Sequence, residues 1–172
     1  MSKIGIIGGG VWGCALAKLL SGNKVLIYAR DKNIVSSINE HRINPKLKYV
    51  IFNENVSSTS NIKDLYKVDF IFIALPSQNI REVMKEYNNE DKNQNIIIAS
   101  KGIEIQSNLF LYDLIKTETK NNNISILSGP CFSNEVAQNL PTAVTLAASK
   151  RKSFDRINSL FQNNNFRLYY SD

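Results

Sequence analysis

The first twenty residues carry the strongest constraint on how this chain folds. Residues 3–7 (KIGII) are a short apolar run suited to a buried strand, and glycines follow at once. Over residues 11–20, Val11, Ala15, Leu16, Leu19 and Leu20 fall on one helical face. Gly8, Gly10 and Gly13 therefore spell G-x-G-x-x-G between a strand and a helix. Gly8 allows a tight turn, Gly10 lets the main chain approach a pyrophosphate, and Gly13 lets the helix pack close to the strand. The anion then rests on the helix amino terminus, where free N–H groups and the positive dipole end meet it. Alone the glycine pattern is weak. Its strand–loop–helix context makes it a dinucleotide-binding βαβ unit, for NAD(H) or NADP(H).

Beyond this unit, strand and helix patterns alternate. Residues 24–28 read as a strand after the stop at Gly22 and Asn23, and Asp31 is placed to cap a helix running to about residue 39, with Ile34, Val35 and Ile38 inward. Residues 45–60 are polar and fit no element except a short strand at 56–59. Residues 69–75 (DFIFIAL) are a continuous apolar strand of the type covered on both faces. Pro76 and Ser77 break it, and Ile80, Val83, Met84 and Tyr87 then form a helical stripe. Further strands are expected at 95–99, 124–127, 143–147 and 166–170, helices at 109–119, 132–139 and 153–161, and turns at 121–123 and 163–165. The class is α/β, with a Rossmann-type, doubly wound, mostly parallel sheet. With 172 residues, no repeat and no linker, the expectation is one NAD(P)-binding domain over 1–172.

Charge and cysteine content exclude other classes. The net charge is +6, but the basic residues are scattered and only 150–152 forms a run, so no nucleic-acid partner is expected. A mildly basic domain suits an anionic cofactor and a phosphorylated substrate. Two cysteines, Cys14 and Cys131, and one histidine, His41, make no metal-ligand cluster. They read as reduced thiols, with a single disulfide left open. His41 reads as a solvated helix-end residue and not a base, because no carboxylate or nucleophile partner can be named for it. No segment is long and apolar enough for a signal or a membrane span, so the chain is expected in the cytoplasm.

In open α/β sheets ligands bind outside the carboxyl ends of the strands. The second strand ends at Tyr28, Ala29 and Arg30, where NAD enzymes of the common type place an acidic residue for the ribose hydroxyl. Arg30 can instead pair with a 2′-phosphate or stack on adenine, or stand as a solvated surface residue. The former favours NADP(H), with NAD(H) remaining open. Three later strand ends carry Leu75-Pro76-Ser77-Gln78, Ser100-Lys101-Gly102 and Ser128-Gly129-Pro130-Cys131. Ser77 and Gln78 also fit a plain helix cap.

These segments, taken in order, resemble the bacterial-type NAD(P)-dependent sn-glycerol-3-phosphate dehydrogenases. The likeness rests on GGGVWGCALA, PSQNIREVM (76–84), SKGIE (100–104), SGPCFSNEV (128–136), LPTAV (140–144) and the closing FRLYYSD. The resemblance implies reduction of dihydroxyacetone phosphate to glycerol 3-phosphate, a phospholipid precursor. It implies cofactor contacts from Gly8, Gly10, Val11, Trp12, Gly13, Arg30, Lys101 and Ser133, and substrate contacts from Lys101, Gly129 and Cys131. Lysine at a strand end suits that role, since its charge neutralises phosphate or polarises a carbonyl. Lys101 as a surface lysine and Trp12 as a packing ring are the bland alternatives.

The chain departs from the family pattern at Cys131, where serine or threonine is usual, and at Cys14, where threonine is usual. A thiol is the weaker hydrogen-bond donor, so a polar contact to substrate is weakened at Cys131. The family also has a helical second domain holding an acid/base lysine in a G-A-L-K-N motif and an arginine for the substrate phosphate. Neither lies before Asp172, so the expectation is a cofactor-binding half with little or no turnover and no catalytic residue of its own. An apolar face normally covered by that domain is expected to favour self-association. The competing readings are a non-catalytic NAD(P)-binding module and a dehydrogenase for another small substrate.

Overall fold

The computed structural model describes all residues except 48, 90, 92, 120, 122, 163 and 164. The elements are β1 (Lys3–Ile7), α1 (Val11–Leu19), β2 (Lys24–Tyr28), α2 (Lys32–His41), β3 (Val56–Thr59), β4 (Phe70–Ile73), α3 (Ile80–Tyr87), β5 (Asn95–Ile98), α4 (Leu111–Glu118), β6 (Ile124–Ser128), α5 (Ser133–Ala137), β7 (Thr142–Ala148), α6 (Arg151–Asn158) and β8 (Phe166–Ser171). All eight strands join one sheet in the order β3-β2-β1-β4-β5-β6-β7-β8. Strand order reverses between β1 and β4, which pair in parallel, so the loops leaving these two strands diverge and open a crevice. The Rossmann-type α/β class expected from the alternating pattern is the one observed.

Strand side chains alternate between two cores. Ile4, Ile6, Val25, Ile27, Phe70, Phe72 and Ile97 face α1, α2, α5 and α6. Ile7, Tyr28, Ile71, Ile73, Ile96 and Ile98 face α3 and α4. Burial on both sides is why β4 and β5 read as unbroken apolar runs. Each fully buried isoleucine contributes about 1.5–3 kcal/mol. The stripe Ile80, Val83, Met84 and Tyr87 is buried on α3, and the Asp31 carboxylate caps α2 by accepting from Asn33 N at 2.9 Å.

Two strands run against the rest: β7 pairs antiparallel with β6, and β8 runs parallel to β7. The cause lies in α5, only five residues long. It rises about 7.5 Å, less than half the roughly 17 Å length of a five-residue strand, and cannot carry the chain back along the sheet. The next strand therefore starts at the same edge and returns.

Several bounds differ from the pattern-based expectation for physical reasons. Helix α4 starts at Leu111 and not at 109, because Leu109 O accepts from Glu104 N at 3.1 Å and Phe110 bridges Ile103. Helix α5 is shorter than 132–139, with Phe132 extended at its start and Asn139 left-handed beyond its end. A 3₁₀ turn, Ile62–Lys67, capped by Asn61, stands where no element was expected. The turn residues 122, 163 and 164 lie outside the described residues. Among the described residues no helix is long and apolar enough to cross a membrane, and no three metal-ligating side chains cluster.

Candidate functional site

The glycine loop stands at the point where strand order reverses. Gly8 N donates to Tyr28 O at 3.0 Å, and Gly8 has φ +128°, where a side chain would be strained. A Cβ on Gly13 would lie 1.9 Å from Gly8 O, so α1 packs at a distance only glycine permits. At Gly10, the N-cap of α1, a Cβ would meet nothing within 4 Å. The space in front of the helix start is thus left clear, and first-turn N–H groups such as those of Val11 and Trp12 have no partner within the helix. These residues fit a dinucleotide pyrophosphate.

The loop is also fixed from behind. Asn44, fully buried, donates from Nδ2 to Gly9 O at 2.8 Å and to Cys14 Sγ at 3.1 Å, while its Oδ1 accepts from Lys46 N at 2.8 Å. Burial pushes the Cys14 thiol up to about 11, the Asn44 bond opposing in part. The sequence offered no signal for Asn44, which lies between the helix expected to end near residue 39 and the polar stretch that starts at residue 45.

Beside the loop is a cavity of about 400 Å³ that brings together Gly10, Val11, Trp12, Lys101, Cys131 and Ser133, with Leu75, Pro76 and Ser100. Four separated segments of sequence meet there because β1, β4, β5 and β6 end along one edge. Trp12 is both packed and site-facing: its indole N–H donates to Ala99 O at 2.8 Å while the ring lines the cavity. Ser100 Oγ accepts from Leu75 N at 3.0 Å and donates to Ile73 O at 3.1 Å, tying the ends of β4 and β5. Lys101 is the single charged side chain of the lining, and its Nζ donates to Gly129 O at 3.1 Å. That bond joins the second and third candidate loops, although Gly129 itself does not line the cavity. Burial pushes the half-buried Cys131 thiol up, and the Lys101 ammonium pulls it the other way.

A second hollow of about 200 Å³ adjoins the loop on the β2 side, lined by Gly8, Gly10, Arg30, Asp31 and Lys46 among others. Arg30 is 46% exposed and pairs with Glu82 at 3.1 Å. His41 stands apart, exposed at the end of α2 and 3.9 Å from Glu40. Gln78 is no helix cap. It reaches across to the main chain of the loop after β5, accepting from Ile105 N at 3.0 Å and donating to Ile103 O at 2.8 Å.

Residues 3–154 match the family described as NAD-dependent glycerol-3-phosphate dehydrogenase N-terminus. Glycerol-3-phosphate dehydrogenase (NAD(P)+) of Erythrobacter litoralis is 36% identical over 174 residues, covering 99% of this chain and 52% of that protein. The protein of the same name from Clostridium botulinum is 39% identical over 98% of this chain and 52% of its own length. A crystal structure of glycerol-3-phosphate dehydrogenase from Coxiella burnetii is similar with a TM-score of 0.90 at 30% identity, over 99% of this chain and 54% of that one. The chain spans about half the length of the curated relatives it matches. With a match over 152 of its 172 residues (154 − 3 + 1) and relatives alike in both sequence and fold, the chain belongs to the family of NAD-dependent glycerol-3-phosphate dehydrogenase N-terminal domains.

Proposed function

We propose that residues 1–172 act as one nicotinamide-dinucleotide-binding domain, the cofactor half of an NAD(P)-dependent dehydrogenase that reduces dihydroxyacetone phosphate to glycerol 3-phosphate. The observation that carries this reading is the single cavity in which Gly10, Val11, Trp12, Lys101, Cys131 and Ser133 meet at the reversal of strand order. Bound there, the dinucleotide supplies the hydride. Gly8, Gly10 and Gly13 hold its pyrophosphate on the start of α1, Val11 and Trp12 flank the nicotinamide half, and Ser133 adds a hydroxyl from the start of α5. Lys101 faces both cofactor and substrate, exchanging Gly129 O for a phosphate or carbonyl oxygen. Gly129 and Cys131 form the substrate side.

Arg30 and Lys46 place two cations on the β2-side hollow, which supports a preference for the 2′-phosphate of NADP(H) over NAD(H). Arg30 must leave Glu82 to make that contact, and an exposed pair of this kind costs only about 0–1 kcal/mol to break. One ammonium cannot both anchor the substrate phosphate and deliver a proton to the carbonyl. Turnover by the 172 residues alone is accordingly low, far below the roughly 1–1000 s⁻¹ of ordinary enzymes. Ile105, Phe110 and Phe132, exposed by 76%, 65% and 72%, give the chain an apolar surface through which it self-associates. The setting is the cytoplasm, in the supply of phospholipid backbone.

Titration of the chain with NADPH and NADH, alone and with dihydroxyacetone phosphate, tests this reading, with quenching of the sole tryptophan, Trp12, as the signal. Saturable quenching, tighter for NADPH and enhanced by the substrate, is the expected result. No quenching by either dinucleotide overturns the reading, and steady NADPH oxidation overturns the low turnover.

A further inference from the structure

The loop after β5 carries Lys101 into the cavity, yet it has left the sheet ladder and turns through Gly102 at φ +107°. Main chain of this kind needs another source of order. The 3₁₀ turn leading into α3 (Ser77–Asn79) and the first turn of α3 supply it. The Gln78 side-chain amide brackets Glu104, donating to Ile103 O at 2.8 Å and accepting from Ile105 N at 3.0 Å, as a neighbouring strand would. One turn on, Arg81 grips Glu104 itself: Nε and Nη2 donate to the two carboxylate oxygens at 2.8 and 2.7 Å. Ser107 also donates to that carboxylate, and the remaining Arg81 nitrogen binds Glu118 of α4.

We infer that Gln78, Arg81 and Glu104 are positioning residues for Lys101, a clamp from this 3₁₀ turn and the first turn of α3 that fixes residues 102–105 and so sets where the Lys101 ammonium stands. This rests on the reading of Lys101 as a cofactor- and substrate-facing group. The Glu104 side chain is only 4% exposed and that of Arg81 25%. Burying such charges gains little net stability over a well-packed apolar pair. What a two-pronged arginine–carboxylate bond does supply is a defined direction and distance. Glu104 lies three residues beyond Lys101, so a shift at the clamp passes directly to the lysine. The far end of the lysine is set by Gly129 O, which leaves the clamp as the determinant of its near end.

The test uses the 172-residue chain and two probes: NADPH, which reaches the cavity, and 2′,5′-ADP, which engages only the glycine loop and the Arg30 hollow. Lys101→Met serves as reference. Gln78→Leu, Arg81→Met and Glu104→Gln are each expected to weaken NADPH about tenfold, in line with loss of one directed polar contact, while 2′,5′-ADP binding stays within about twofold. Arg81→Lys is expected to recover part of what Arg81→Met loses. Gln78 is exposed, so Gln78→Leu keeps the fold even where removal of a buried charge does not. Clamp variants that bind NADPH as wild type, when Lys101→Met does not, overturn the clamp. Equal weakening of both probes also overturns it, since general support of the fold moves both. If Lys101→Met itself binds NADPH normally, the reading of Lys101 fails and the clamp with it.

Discussion

Two banks face each other across the strand-end cavity, and they are built from different materials. The glycine-loop bank is main chain and close packing: Gly8 against Ala74 O, Gly13 against Gly8 O, and α1 resting on both. The Lys101 bank is side-chain polar bonding, with Gln78, Arg81 and Ser107 converging on residues 103–105 and Glu118 holding Arg81 from α4. The first bank presents dipoles that do not move and suits a ligand part common to many enzymes. The second presents one charged group on a held loop and suits the part of the site where charge must be placed. The contrast also implies different failure modes, since packing breaks by steric clash and a polar clamp breaks by protonation or partner loss.

The largest effect is expected from breaking the first bank by sterics. Gly13→Ala puts a methyl 1.9 Å from a main-chain oxygen that no rotamer can vacate. A destabilisation of about 3 kcal/mol or more is expected, with loss of both NADPH and 2′,5′-ADP binding. Urea unfolding and the two titrations check it. A variant as stable as the parent would mean that α1 does not pack as described.

That same bank was the legible one. Glycine between a strand and a helix is a local pattern, so Gly8, Gly10 and Gly13 could be read from adjacent residues, as could the apolar stripe of α3 and the Asp31 cap. The Lys101 bank is built from contacts 23 to 37 residues apart, between Arg81 and Glu104 or Glu118. No spacing rule encodes these, and the local surroundings of Gln78 suit a strand-end loop and a helix cap equally, so its role stays open in the sequence. Asn44 was missed for the same reason, lying 35 residues from Gly9. The reversal at β7 was hidden in a length: α5 proved too short to cross the sheet, and sequence periodicity places helix ends less well than helix centres.

Acid should distinguish the banks next. Arg81, then Ser107, holds the Glu104 carboxyl down at about 2, against an ordinary 4.5. A depressed carboxyl stabilises the fold fully above its unfolded value and loses that contribution as pH falls from about 4.5 toward 2. Urea midpoints should therefore drop more steeply over that window in wild type than in Glu104→Gln. Parallel pH profiles would show that Glu104 carries no linked stability.

Cofactor choice sharpens the comparison on the outer edge of the glycine bank. Arg30→Ala removes a half-exposed cation from the β2-side hollow and leaves the loop untouched. NADPH should weaken about tenfold, equivalent to about 1.4 kcal/mol, while NADH changes by less than about twofold. Calorimetric titration of both dinucleotides reads the difference. Equal losses would move the 2′-phosphate contact to another group.

Trp12 belongs to both banks, and so carries the smallest and most informative effect. It sits in the first turn of α1, yet its indole N–H binds the carbonyl of Ala99, two residues before Lys101. Trp12→Phe keeps an aromatic wall for the cavity and removes only that bond, leaving a carbonyl without its partner. The expected cost is about 1 kcal/mol of stability, the ordinary net worth of one internal hydrogen bond. NADPH affinity, read calorimetrically because the fluorophore is gone, should fall by less than about threefold, since the two banks are anchored independently by packing and by the clamp. A tenfold loss would instead make Trp12 the strut that couples them, and the glycine bank would then be setting the position of Lys101 alongside Glu104.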